Sequence, residues 1–320
     1  MGNIRAAFFD IDGTLLSFAT HQVPPSTLRA LKGMKAAGIK LFIASGRPPF
    51  YMKGMEETLG VPFDGYVLTN GQCCTDGDLN PFYIQALPKE SVPALLRWLE
   101  AHPDTLCAFC EDEYVYLNRP ADLVEKRCED AHLNPPRHPV GDPARALTHT
   151  TYQLNLYMPP EMDAPFAEAV PGYRAVRWNP VFADVIPADG GKAEGLARMM
   201  ARHGLTADQC IAFGDGGNDI EMLRAAGTGV AMGNASPTVQ AAADYVTDTV
   251  DRDGIWKAAV HFGLIQDSFL KSDAVTDERQ KIGYTRTIES EMLRNQKPNE
   301  TAAPCGPTIQ QRQTKKERLP

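Results

Sequence analysis

The sequence predicts an α/β fold, a parallel-sheet core interrupted by an inserted α+β unit. Three observations carry that expectation. Short apolar runs alternate with amphipathic segments near both ends of the chain, and those runs stop at turns rich in Gly, Asp and Asn. Between about residues 81 and 186 the texture changes to strand pairs interspersed with helices.

The first run, Ala6 to Phe9, reads as a buried strand that breaks into Asp10-Ile11-Asp12-Gly13-Thr14. Ser26 to Ala37 carries Leu28, Leu31 and Met34 at helical spacing and is stopped by Gly38. Ile39 to Ala44 is a second strand ending in Ser45-Gly46-Arg47-Pro48. A helix over Phe50 to Leu59 and a third strand, Gly65 to Leu68, lead to Thr69-Asn70-Gly71. This β-α-β-α-β order predicts parallel strands with right-handed crossovers. Three successive strand ends carry polar residues, and open α/β sheets bind ligands beyond those ends.

The insert begins with strand-like Phe82 to Ala86 and a helix over Ser91 to Ala101. Strands follow at Leu106 to Phe109 and Tyr114 to Leu117, around the acidic turn Glu111-Asp112-Glu113, then a helix over about 121–131 and a Pro-rich connection. Strand Tyr152 to Tyr157, helix Pro160 to Ala169 and strands Tyr173 to Arg177 and Phe182 to Ile186 complete it. The pattern suits an antiparallel sheet acting as a lid.

The α/β rhythm then resumes. Asp189-Gly190-Gly191-Lys192 opens a helix to His203, and strand Cys210 to Phe213 ends in Gly214-Asp215-Gly216-Gly217-Asn218-Asp219. A helix with Ile220, Met222 and Leu223, strand Gly229 to Met232, the turn Gly233-Asn234-Ala235, helix Pro237 to Ala243, strand Tyr245 to Thr247 and a helix after Asp253-Gly254 follow. The expected division is a core over 1–80 and 187–265, a cap over 81–186, and a polar, disordered tail over 266–320.

Composition narrows the function. A net charge of -8 with no basic stripe argues against a nucleic-acid partner. No apolar run is long enough to span a bilayer, and the first residues lead into the first strand without a signal-peptide core, so a cytoplasmic protein is expected. The seven cysteines are scattered, which fits reduced thiols. Cys107-Ala108-Phe109-Cys110 lacks a second ligand pair and reads as packed thiols, as does Cys73-Cys74.

Four polar clusters thus fall at strand ends or helix starts: Asp10/Asp12/Thr14, Ser45, Lys192 and Asp215/Asn218/Asp219. Taken singly, Asp12-Gly13 is equally a turn dipeptide and Ser45 an N-cap. Taken together, carboxylates sharing one crevice repel, and a divalent cation relieves them. Oxygen donors favour a hard ion, and Mg²⁺ suits a phosphate-bearing ligand better than Ca²⁺. Lys192 beside such an ion makes sense if both address one anion.

Phe9-Asp10-Ile11-Asp12-Gly13-Thr14-Leu15, Ser45-Gly46-Arg47, Lys192 and Gly214-Asp215-Gly216-Gly217-Asn218-Asp219 resemble, in order, the four motifs of the haloacid dehalogenase-like superfamily. The insert between the second and third motifs resembles its Cof-type branch (type IIB cap) of sugar-phosphate phosphatases, as do Asn70-Gly71, Gly233-Asn234-Ala235 and Asp253-Gly254. The likeness runs from about Ile4 to Leu264. It implies a Rossmann-like core with an inserted α+β cap, and a phosphatase acting on small phosphorylated metabolites with Mg²⁺.

The resemblance also implies roles. Asp10 would be the nucleophile and Asp12 the acid and base. Mg²⁺ would be held by the side chains of Asp10 and Asp215 and the backbone carbonyl of Asp12. Ser45, Lys192 and Asn218 would contact phosphoryl oxygens, with Asp219 orienting Lys192 or a metal-bound water. Thr14 would shape the loop or steady Asp12, or make only a local turn bond. Arg47 reads as a substrate contact or a surface ion pair. Tyr114, Tyr116, Trp178 and the turn Glu111–Glu113 are candidates for specificity that read equally as core aromatics and a solvated turn. A phosphomutase or phosphotransferase would use the same motifs, and a phosphate-responsive binding module is the rival outside catalysis. The motifs set neither substrate nor oligomeric state.

Overall fold

The computed structural model describes residues 4–266, apart from 53 and 132. The first unit opens with β1 (Ala6–Phe9), α1 (Pro25–Ala36), β2 (Lys40–Ala44), α2 (Met55–Leu59), β3 (Gly65–Leu68), β4 (Cys73–Asp76) and β5 (Pro81–Ile84). Then come α3 (Val92–Ala101), β6 (Leu106–Cys110), β7 (Val115–Leu117), α4 (Glu125–Asp130), β8 (Gln153–Tyr157), α5 (Asp163–Ala169), β9 (Tyr173–Val176) and β10 (Ala183–Pro187). The chain closes with α6 (Lys192–His203), β11 (Cys210–Gly214), α7 (Ile220–Ala225), β12 (Thr228–Ala231), α8 (Pro237–Gln240), β13 (Tyr245–Val246) and α9 (Gly254–His261).

Two sheets result. The larger has the order β13-β12-β11-β1-β2-β3-β4-β5, parallel from β13 to β3 and antiparallel at β4 and β5. The smaller, β7-β6-β8-β10-β9, is antiparallel throughout. In the larger sheet β1 lies between β2 and β11, where the strand order reverses, so the crevice beyond its carboxyl end is the natural site.

The period-two alternation of each strand feeds two cores. Ala7, Phe9, Ile43, Ile211 and Phe213 pack under Leu31, Met34 and Trp256 of α1 and α9. Ala6, Phe8, Phe42, Ala44 and Ala212 face Leu196, Met199, Met222 and Leu223 of α6 and α7. Cross-strand partners Phe9 and Phe213 stack at 4.9 Å, and Phe8 and Phe42 at 4.7 Å. Such pairs add about 0.5–1.5 kcal/mol each beyond area burial and fix the three strand ends relative to one another.

In the smaller sheet Leu154, Leu156, Ala183 and Val185 pack on α3 and α5 through Leu95, Trp98 and Phe166. The intervening Gln153, Asn155 and Asp184 point to the opposite face, toward the larger sheet's loops.

The structure corrects four sequence expectations. The strand expected over Phe82 to Ala86 runs Pro81–Ile84 and is the edge of the larger sheet, because it pairs with the unforeseen β4 and not with any strand of the insert. The helix expected over Phe50 to Leu59 is a 3-10 turn, Pro49–Met52, followed by α2, with Gly54 at φ 81° between them. The helix expected over 121–131 likewise opens as a 3-10 turn, Ala121–Val124, before α4. The helix expected from Pro160 starts at Asp163, after a 3-10 turn. The polar tail expected from 266 onward lies, save for Gln266, outside the described residues. No helix among the described residues is long and apolar enough to cross a membrane.

Candidate active site

Asp10 follows β1 directly, and its N–H donates to the Phe213 carbonyl of β11 at 3.0 Å, so the two strand ends are tied at the site itself. Gly13 then turns the chain at φ 91°. A Cβ there would stand 2.1 Å from Asp215 Oδ2, so only glycine lets the first loop approach the last motif this closely. Asn234 ties the same loop down, its Nδ2 donating to the Gly13 carbonyl at 2.9 Å and to Asp215 Oδ2 at 3.3 Å.

Lys192 is the first residue of α6 and fully buried. A cation at the positive end of a helix is unfavourable there. It is held by two carboxylates, its Nζ donating to Asp10 Oδ1 and to Asp219 Oδ1 at 2.6 Å each. The other oxygen of Asp219 accepts from the N–H groups of Asp215 and Gly216 at 3.0 and 2.9 Å. Asp219 is thus committed to the loop and the lysine.

Thr14 Oγ1 donates to Asp215 Oδ1 at 2.8 Å, neither to Asp12 nor within its own turn. Asp12 turns aside from the cluster into a two-pronged ion pair, Arg47 Nε donating to Oδ2 at 3.0 Å and Nη2 to Oδ1 at 2.5 Å. Buried Ser45 accepts the Arg47 N–H at 3.2 Å, a local turn bond, and since the next helical turn opens only at Pro49 it is not the N-cap its spacing also allowed. Asn218 Nδ2 donates to Asn70 Oδ1 at 2.9 Å, and the Asn70 N–H donates to the Ser45 carbonyl at 3.0 Å.

The eight expected residues therefore fall into three linked groups. Asp10, Lys192, Asp219, Asp215 and Thr14 form one continuous chain of contacts; Asp12 is joined to Arg47; Ser45 and Asn218 meet at Asn70. Asn70, Asn234 and Asp184 were not among the sequence candidates. The first two had a signal, a polar residue beside glycine at a strand end, whereas Asp184 stands inside an apolar strand with none.

Burial pushes Asp10 up to about 7, with the neighbouring charges of Asp219 and Asp12 adding to the rise against Lys192. Burial likewise pushes Asp215 up to about 8, assisted by Asp10 and Asp219. For Lys192 burial works downward, but the two carboxylates outweigh it and hold the ammonium above its ordinary value. Both rises mark a cluster short of positive charge, in which one ammonium does not offset three crowded acids. Asp10, Asp215 and Asp219 can each bring one oxygen within 4.8 Å of the others, which fits a bound metal cation.

The match to the haloacid dehalogenase-like hydrolase family covers residues 7–258. The chain belongs to that family. Among curated relatives, YkrA of Bacillus subtilis (strain 168) is 34% identical over 270 residues, covering 82% of this chain and 99% of that protein. The pyridoxal phosphate phosphatase YbhA of Escherichia coli (strain K12) is 29% identical over 266 residues, 78% of this chain and 96% of that one. Among solved structures, the subclass IIB sugar phosphatase BT4131 is 38% identical with a TM-score of 0.73, over 82% of this chain and all of that one. The expected fold class and a phosphatase of this hydrolase family agree with all of these.

Proposed function

We propose that this haloacid dehalogenase-like protein is a Mg²⁺-dependent phosphatase that hydrolyses small phosphorylated metabolites, sugar phosphates first among them, through an aspartyl-phosphate on Asp10. The observation that carries the reading is the Lys192 bridge from Asp10 to Asp219 beside Asp215, at the ends of β1 and β11. The sugar phosphatase BT4131 supports the substrate class, and YbhA points to small phosphate esters more broadly.

The side chains of Asp10 and Asp215 and the backbone carbonyl of Asp12 would hold Mg²⁺, which when bound neutralises charge on the phosphoryl oxygens. An Asp10 oxygen attacks phosphorus in line as the bond to the leaving oxygen breaks. Asp12, released from Arg47 as the phosphate draws that guanidinium to itself, takes up a proton from solvent and delivers it to the leaving oxygen. It then takes a proton from the water that attacks phosphorus and frees Asp10. Two protons of the Lys192 ammonium are engaged among the described residues, and the third is directed at a phosphoryl oxygen, together with Ser45 and Asn218. Six buried, unpaired cysteines among the described residues suit the reducing cytoplasm.

The test is phosphate release by the purified protein from a panel of phosphorylated sugars, nucleotides and cofactors. Repeated turnover with Mg²⁺, abolished by chelation and by Asp10→Asn, is the expected result. A single stoichiometric phosphorylation without turnover would instead indicate a binding module.

A further inference from the structure

Asp184 is the second residue of β10 and is 2% exposed, yet it makes no ion pair among the described residues. Its Oδ1 accepts from Asn155 Nδ2 at 2.5 Å, its cross-strand partner on β8. Its Oδ2 accepts from Asn70 Nδ2 at 2.8 Å, across to the larger sheet. A buried carboxylate satisfied only by amides is a poor stabiliser, and an uncharged residue of similar volume ordinarily serves the fold as well or better. Stability alone does not account for it.

What the carboxylate does supply is direction. An ionised carboxylate only accepts, whereas a carboxamide can present either end. Facing Asp184 Oδ2 and Gln153 Oε1, at 2.8 and 2.9 Å, Asn70 must turn its NH₂ toward the smaller sheet. Its Oδ1 is then left toward Asn218, which must donate. Gln153 is set the same way round, since its Nε2 donates to the Gly46 carbonyl at 3.3 Å. Asn70 itself sits in the left-handed region, at φ 54° and ψ 37°, where its side chain reaches both sheets. Gly46 leaves room for the crossing, since a Cβ there would stand 3.0 Å from Asn70 Nδ2 and 3.1 Å from Asp184 Oδ2.

We infer that Asp184 is a positioning residue for phosphoryl binding, an acceptor-only anchor on the smaller sheet that fixes, through Asn70, the amide orientation of Asn218 at the phosphate site. This rests on the phosphatase reading for what Asn218 does. The relay joins residues on β10, the loop after β3 and the loop after β11, so the smaller sheet takes part in phosphate recognition without touching the phosphate.

The experiment is binding of inorganic phosphate to the full-length protein in Mg²⁺ by calorimetry, alongside kcat and thermal melting. Asp184→Asn is expected to melt at or above the wild-type temperature while phosphate affinity and kcat each fall about tenfold. Asn70→Ala should show the same losses, and adding Asp184→Asn to it should cause no further loss. The exchange variant Asn155→Asp/Asp184→Asn keeps the carboxylate and the cross-strand bond but faces Asn70 with an amide. It should fold and still bind phosphate weakly, whereas a residue that only braces the sheet would be rescued. Wild-type phosphate affinity in Asp184→Asn or in the exchange variant, or losses that multiply with Asn70→Ala, would overturn the assignment. Asp184-dependent phosphate binding in a protein that turns over no ester would count against the phosphatase reading and leave the relay standing.

Discussion

Thr14 Oγ1 donates to Asp215 Oδ1 at 2.8 Å, joining the first strand's turn to a carboxylate 201 residues further along the chain. The bond fixes the rotamer of a carboxylate proposed to hold Mg²⁺, and such supporting contacts change metal affinity by about 10–100-fold when removed. Thr14→Val keeps the shape and deletes the donor. The expected outcome is a Mg²⁺ half-saturation raised by roughly tenfold, with kcat at saturating Mg²⁺ largely retained. A Mg²⁺ titration of phosphate release reads this directly, and an unshifted curve would show that Asp215 is held without Thr14.

Lys192 makes a different kind of contribution, because both its partners are buried with it. Lys192→Met leaves Asp10 and Asp219 facing each other without a cation. Removing one partner of a buried ion pair costs about 3–5 kcal/mol. Urea unfolding without metal should show a loss of that order, and Mg²⁺ should restore part of it by supplying positive charge to Asp10. Activity should fall by at least about a hundredfold, as for loss of a preorganised electrostatic contact. A stability change below 1 kcal/mol, on the order of a surface pair, would contradict the buried bridge.

Two glycines separate backbone strain from crowding. Gly13 and Gly38 have similar φ, 91° and 81°, but a Cβ on Gly38 meets nothing within 4 Å, while one on Gly13 runs into Asp215 and Phe18. Gly38→Ala should therefore lose about 1 kcal/mol and keep full activity. Gly13→Ala should lose more stability and also its Mg²⁺ response, since the first loop must back away from Asp215. Equal effects of the two changes on Mg²⁺ half-saturation would mean that the close approach is immaterial.

Much of this site could be read from the sequence because its chemistry is local. Asp10, Ser45 and Asp215 each follow an apolar run that can only be a buried strand, and Lys192 opens a helix after two glycines. The central strands were legible for the same reason, since Ala6–Phe9 and Cys210–Gly214 are apolar on both faces. What was not legible is pairing. That Asp12 would turn to Arg47, or Thr14 to Asp215, depends on how loops meet in space. β5 is half exposed and short, and only its hydrogen bonds to β4 assign it to the larger sheet. Asp184 was hidden most completely, as one acid within Ala183-Asp184-Val185-Ile186 whose partner Asn70 lies 114 residues earlier.

Asp184 also carries a pH signature. Burial lifts its carboxyl from 3.8 to about 6, against the lowering effect of hydrogen bonds from Asn70 and Asn155. The charged and titratable groups around it are Lys192 at the start of α6, Arg177 beyond β9, Cys110 on β6 and Tyr157 on β8. Because the folded value is the higher one, the folded protein binds this proton more tightly than the unfolded chain. The resulting stability is fully present below 3.8 and is lost as pH rises through about 6. A rise of roughly two pH units corresponds to about 3 kcal/mol. Asp184→Asn cannot titrate, so its stability relative to wild type should increase by about that amount between pH 4 and pH 7. Asp10 and Asp215 titrate in both proteins and cancel in the difference. Urea unfolding of the pair across that range tests it, and a difference that stays flat would mean that Asp184 is better solvated, or better paired, than its burial indicates.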